Sequence, residues 1–186
     1  MPAIAEKLIT AEEFMNMPDP EDGTEQELIR GRVISMPLPQ GPHGYSCASA
    51  SGLVFQHSRT NRLGWVVAND TGVVLERDPD TVRGPDVAFW SFERLPKVPK
   101  GYIEIAPDLA VEVRSPGNTQ RQILDKIKEY FFGGTKRVWV LDPEDRTVAI
   151  YYSPFEAKLL HEPAELDGED ILPGFRCKVA DLFPLE

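Results

Sequence analysis

Four side chains in this sequence have the types to do chemistry together: Glu27, Asp86, Glu112 and Lys126. Glu112 lies inside the apolar run Leu109-Ala110-Val111-Glu112-Val113. As a strand, that stretch places Leu109, Val111 and Val113 on one face and Asp108, Ala110, Glu112 and Arg114 on the other. A mostly apolar run reads as an interior strand. A carboxylate there loses hydration and needs hydrogen bonds, a cation or a metal in return; the alternative is a strand end near the surface, with Glu112 paired to an arginine. Asp86 opens another β-rich run, a place where aspartate also serves as a simple turn acceptor. Three acidic groups brought to one point repel one another unless a hard divalent cation sits between them, and such oxygen ligands suit magnesium or manganese. A lysine beside them stabilises charge on an attacked phosphate or orients the attacking water. Spacing alone does not bring the four together, so the elements that carry them decide.

Thr10-Ala11-Glu12-Glu13 is a capping-box pattern and predicts a short N-terminal helix stopped by Pro18. Residues 25–30 and 32–36 flank Gly31 as two strands around a tight turn, with Glu27 on the first. From about residue 43 to 60, small residues predict a helix packed closely on a sheet. His43 stands at its start, either reaching into a neighbouring cleft or serving as an ordinary loop histidine. Residues 64–68, 72–76 and 85–90 are β-rich runs between turn signals, which predicts consecutive antiparallel strands leading into the one that holds Glu112. Residues 93–101, with two prolines and three basic residues, predict a surface loop lining the site.

Asn118 and Thr119 precede an amphipathic helix over residues 120–132, closed by Gly133-Gly134, with Ile123, Ile127, Tyr130 and Phe131 facing inward. Lys126 borders that stripe, placed to reach inward or to pack its stem and turn its ammonium to water. Strands over 137–141 and 147–151 follow. The strand-helix-strand order over 108–141 predicts a right-handed crossover and a parallel pair at the sheet centre. The remainder holds an acidic stretch and a short helix near residues 179–183, with no evident chemistry.

At 186 residues the chain reads as one domain spanning 1–186, without linkers or repeats. No run approaches the roughly 20 apolar residues that span a bilayer, and the N-terminus lacks a basic segment followed by an apolar one, which predicts a cytoplasmic protein with no membrane partner. Cys47 and Cys177 are far apart, so the expectation is two buried, reduced side chains and no disulfide or zinc knuckle. His57 and His161 have no partner at metal-ligand spacing. The net charge of -10 argues against a protein that grips nucleic acid by bulk electrostatics. Yet between Arg94 and Arg137 nine Lys/Arg face five Asp/Glu, a local cationic zone compatible with an anionic substrate.

Five sequence blocks stand in a telling order: Glu27-Leu28-Ile29-Arg30-Gly31; Gly84-Pro85-Asp86-Val87-Ala88-Phe89; Pro107 to Val113 with Ser115-Pro116; Lys126 with Tyr130; and Val138-Trp139-Val140-Leu141-Asp142-Pro143. In this order they resemble the Uma-type restriction-endonuclease family, a branch of the PD-(D/E)xK nuclease superfamily. The resemblance implies an α/β (α+β) fold: a restriction-endonuclease-like core with a mixed central β-sheet flanked by helices and an N-terminal β-rich extension. It makes Asp86 and Glu112 the paired ligands of Mg2+ or Mn2+ and Lys126 the superfamily lysine, moved from strand to helix. Glu27 becomes an additional acidic residue, His43 the histidine after a proline-rich loop, and Asp108, despite its Pro-Asp context, either a support behind the metal ligands or a structural residue. The implied activity is hydrolysis of phosphodiester bonds in nucleic acid, DNA first, by metal-activated water in a homodimeric endonuclease. Arg114 departs from the branch, which has an apolar residue there, and Gly44 stands where the family tends to have a polar one. The competing reading is a catalytically inactive relative, an oligomeric or nucleic-acid-contacting module in which Glu112 and Arg114 form a buried pair.

Overall fold

Apolar strand residues bury wherever a second layer is available, and the order of elements determines which layer each strand meets. The computed structural model describes residues 7–185. Its elements are α1 (Ala11–Met15), β1 (Glu25–Ile29), β2 (Arg32–Met36), α2 (Gly41–Asn61), β3 (Gly64–Ala68), β4 (Val73–Glu76), β5 (Thr81–Arg83), β6 (Val87–Ser91), β7 (Leu109–Val113), α3 (Gln120–Gly133), β8 (Arg137–Asp142), β9 (Thr147–Ser153), β10 (Glu156–His161), β11 (Glu165–Asp167) and β12 (Arg176–Lys178), followed by a 3-10 turn, Val179–Leu182.

The main sheet has the order β10-β9-β8-β7-β6-β3. Its interior strand β7 is buried along its whole length, antiparallel to β6 and parallel to β8, the pair that the β7-α3-β8 order predicts. Its two faces separate as alternation requires. Leu109, Val111 and Val113 pack with Ala50 and Val54 of α2 and with Leu172, Phe175 and Val179. Ala110 packs on the other face with Ile123, Ile127 and Tyr130 of α3 and with Val138 and Val140 of β8. Helices thus cover both faces of a mixed sheet. The α2 residues turned inward are Ser46, Ala50, Val54 and Ser58, one per turn and mostly small, which lets the helix lie close to the strands. Local signals set the helix ends: Thr10 and Thr119 complete capping boxes, and Gly134 takes the left-handed conformation that ends α3.

A smaller sheet, β2-β1-β5-β4, forms the N-terminal β-rich extension. Arg30 and Gly31 both take positive φ, 49° and 76°, in the tight turn that joins β1 to β2. Leu28, Val74 and Val82 close over Ala11 and Phe14 of α1. One expectation fails here. The runs at β3, β4 and β6 are not consecutive neighbours: β3 pairs directly with β6, while β4 pairs with β5 and leaves the main sheet. Three-residue β5 gives no readable alternation, so nothing in the local pattern announces the partner that draws β4 away.

Candidate active site

The strands that carry the candidate residues end together. Asp86 immediately precedes β6, Glu112 lies near the C-terminal end of antiparallel β7, and these two ends adjoin across Val87 and Val111. There α3, the start of α2 and the smaller sheet enclose a cleft of about 320 Å³ lined by Glu27, His43, Asp86, Glu112 and Lys126 together. All five residues singled out from sequence converge.

Glu27 is 2 % exposed and held on every side. One carboxylate oxygen accepts from Arg83 Nη1 at 2.5 Å, and the other accepts from the Gly84 amide at 3.1 Å and pairs with Lys126 Nζ at 3.1 Å. Burial pushes this acid up, but the charges of Lys126 and Arg83 outweigh it and hold Glu27 below the usual carboxylate range. Glu112, 4 % exposed, accepts from Tyr130 Oη at 2.6 Å on one oxygen and from Lys126 Nζ at 2.9 Å on the other. Lys126 therefore does not turn to water. Burial disfavours its charge, but Glu112 and Glu27 raise it above an ordinary lysine, so it stays an ammonium at neutral pH.

Asp86 is treated differently. Its Oδ2 accepts from the Val113 amide at 2.7 Å, while Oδ1 meets the Cys47 thiol at 3.2 Å and His43 Nε2 at 3.4 Å. Burial, with the Glu112 charge next, pushes Asp86 up to about 7 against the pull of the Val113 amide. Burial also lowers His43, so it faces Asp86 largely neutral at pH 7. Asp70, on the turn after β3, lines the same cleft and is likewise pushed up to about 7 by burial and the charges of Glu25 and Glu112.

Sequence reasoning missed Asp70 and Cys47. The Asn-Asp-Thr-Gly turn signal marked Asp70 only as a loop residue. Cys47 stands four residues after His43 on α2, and that i, i+4 spacing was the available signal for a shared face. Other expectations need correction. Arg114 does not pair with Glu112; it binds Asp142 beside a second pocket lined by Pro42, Ser115 and Pro143. The 93–101 segment does not line the cleft. It lies toward the opposite end of β7, where Arg94 donates to the Ala106 carbonyl at 2.6 Å.

Asp108 is at that far end too, accepting from the Ser91 amide at 2.7 Å and paired with Lys136 at 2.7 Å. The cationic zone dissolves in space, because its residues run from one end of the sheet to the other: Lys136 meets Asp108, Arg137 meets Asp170 and Lys126 enters the cleft. Seven carboxylates line the cleft against two permanent cations, Arg83 and Lys126. Oxygen donors in such excess fit a hard divalent cation, which would relieve the mutual repulsion of Asp86 and Glu112. Among the described residues, no helix is long and apolar enough to cross a membrane.

The fold has a close counterpart. A crystal structure of a "putative nuclease belonging to DUF820" from Anabaena variabilis ATCC 29413 superposes with a TM-score of 0.80 at 26% identity, covering 94% of this chain and 97% of that one. The mixed sheet flanked by helices is thus a restriction-endonuclease-like fold. No curated protein matches the sequence. The sequence model of the family described as "Uma2: Putative restriction endonuclease" matches residues 11–180. With that match spanning nearly its whole length, the chain belongs to the Uma2 family.

Proposed function

We propose that the protein is a magnesium- or manganese-dependent endonuclease that hydrolyses phosphodiester bonds in nucleic acid, with DNA as its substrate. The observation that carries this reading is the meeting of Asp86, Glu112 and Lys126 in one carboxylate-rich cleft, in a chain of this family. Asp86 and Glu112 would hold the cation, which when bound polarises the phosphate and makes a water acidic enough to attack.

The remaining work falls to side chains whose positions are already fixed. Lys126, kept charged between Glu112 and Glu27, offsets negative charge as it grows on the phosphate. Its raised proton affinity suits charge stabilisation rather than proton abstraction. Tyr130 and the Val113 amide orient the two carboxylates, Arg83 fixes Glu27, and neutral His43 is available to take a proton at the rim. The acidic lining repels bare polyanion, so substrate binding depends on the cation. The same reading takes the protein as a cytoplasmic homodimer, whose two clefts would address the two strands of a duplex. The inactive alternative loses one support, because Arg114 is engaged by Asp142 and leaves Glu112 to Lys126.

The test is cleavage of supercoiled plasmid and of single-stranded DNA with Mg2+ or Mn2+, for wild type and Glu112→Gln, alongside melting curves. Expected are nicking that chelator and substitution both abolish, and a metal-induced rise in melting temperature that Asp86→Ala and Glu112→Ala lose. A chain that neither cleaves nor is stabilised by either ion would overturn the reading.

A further inference from the structure

We propose that His43, Cys47 and Asp86 form a second metal site, selective for a borderline-soft divalent cation of the zinc class. Their ligand atoms all lie within 4.8 Å of one another. Cys47 Sγ is 3.2 Å from Asp86 Oδ1, His43 Nε2 is 3.4 Å from the same oxygen, and Sγ lies 3.4 Å and 4.0 Å from the two histidine nitrogens. A tetrahedral ion with bonds of about 2.3 Å to sulfur and about 2.0–2.1 Å to nitrogen and oxygen separates sulfur from its neighbours by about 3.6 Å and nitrogen from oxygen by about 3.3 Å. The three groups therefore sit within a few tenths of an ångström of closing on such an ion.

Their supports make this a prepared set. His43 and Cys47 project from successive turns of one helix. The Val113 amide holds Oδ2 of Asp86, which leaves Oδ1 facing the sulfur and the imidazole, its donors among the described residues being a weak S–H and a histidine nitrogen. His43 and Asp86 line the cleft, so a water has access to the fourth position. The donor set is nitrogen, sulfur and oxygen, which suits zinc or cobalt and which magnesium, a hard ion, does not select. On binding, the thiol gives its proton to solvent and the sulfur takes the metal bond.

Occupancy by zinc would consume Asp86 and so exclude the hard ion from its pair with Glu112. That consequence rests on the nuclease reading above; the binding itself does not. The cysteine escapes sequence inspection because the third member of the set arrives 39 residues later in the chain.

The test is titration of the intact protein with Co2+, following the thiolate-to-cobalt charge-transfer absorption, and then displacement with Zn2+. Wild type and Cys177→Ser should show the band and a zinc-induced rise in melting temperature; Cys47→Ser, which keeps a donor to Asp86, should lose both while keeping its response to Mg2+. His43→Ala should weaken zinc binding by more than the ~10–100-fold that loss of an outer-shell partner costs. Protection of Cys47 from alkylation by zinc but not magnesium gives the same information on the unaltered chain. No cobalt-thiolate band in wild type, or a band that survives Cys47→Ser, overturns the proposal. These readouts need no nucleic acid, so a missing band leaves the nuclease reading intact, and absent cleavage leaves the zinc site intact.

Discussion

Two Pro-Asp dipeptides open neighbouring strands of the main sheet, Pro85-Asp86 before β6 and Pro107-Asp108 before β7. Because β6 and β7 run antiparallel, the two aspartates stand at opposite ends of the sheet. Both are poorly accessible, yet their surroundings differ in kind. Asp108 receives the Ser91 amide and the Lys136 ammonium, and although burial pushes it up, these partners hold it below the usual carboxylate range. Asp86 receives one amide, a thiol and a neutral imidazole, with the Glu112 charge nearby, and rises to about 7. A buried acid with matched cations completes a structure. One left without them leaves room for a cation to arrive.

The largest expected effect separates the two ends by activity. Glu112→Gln or Lys126→Met should lower metal-dependent cleavage by about 10²–10³-fold or more, the scale of losing one preorganised charge contact, while Asp108→Asn should stay within a few-fold of wild type. Equal losses at both ends would break the comparison.

Stability should show the reverse pattern. Asp108→Ala strands the part-buried Ser91 amide, costing about 1–3 kcal/mol in denaturant titration, whereas Asp86→Asn should raise the melting temperature of metal-free protein at pH 8.

The pH dependence sharpens the point. With Asp86 raised to about 7 in the folded chain and near 3.8 when unfolded, the folded state holds a proton that the unfolded state has released across that window. Its contribution to stability therefore falls as pH rises from about 4 to 7. The melting-temperature gap between Asp86→Asn and wild type should widen from pH 5 to pH 8, and magnesium should narrow it by stabilising wild type alone. Asp70 titrates in the same window and is common to the two proteins, while His43 opposes it and lies 3.4 Å from Asp86, so the difference reports Asp86 together with the neighbours it touches. A gap independent of pH would show that Asp86 is already compensated. Smallest of all, Lys136→Ala should cost no more than about 1 kcal/mol, since that side chain is 56% exposed, and leave cleavage unchanged.

What sequence revealed was local. The alternation of β7, the inward stripe of α3 with Lys126 at its border, and the caps at Thr10 and Thr119 each depend on residues within a few positions of one another. What it concealed was distant. The partner of Cys47 lies far along the chain, β5 is too short to show a period, and Arg83 ties Glu27, 56 residues before it, to Glu129, 46 residues after it. Prolines and lysines marked 93–101 as surface, but composition does not say which end of a sheet a loop will cover.

The attachment of the β1–β2 hairpin has a kinetic consequence. Its ladder to β5 is one residue pair, Leu28 with Val82. The turn is fastened by the Gly31 amide to the Asp80 carbonyl and by the Arg30 amide to Thr81. Toward the open end, Glu27 ties the hairpin to Arg83 and the Gly84 amide, and Ser35 and Met36 beyond it border the cleft. Fluctuations of that free end expose little apolar surface, so its amides should exchange with solvent through local breathing while those of β7 and β8 wait for global unfolding. A polymer too wide for the resting cleft would then enter past a hairpin that yields like a cantilever, bending at its tip without disturbing the sheet centre behind it.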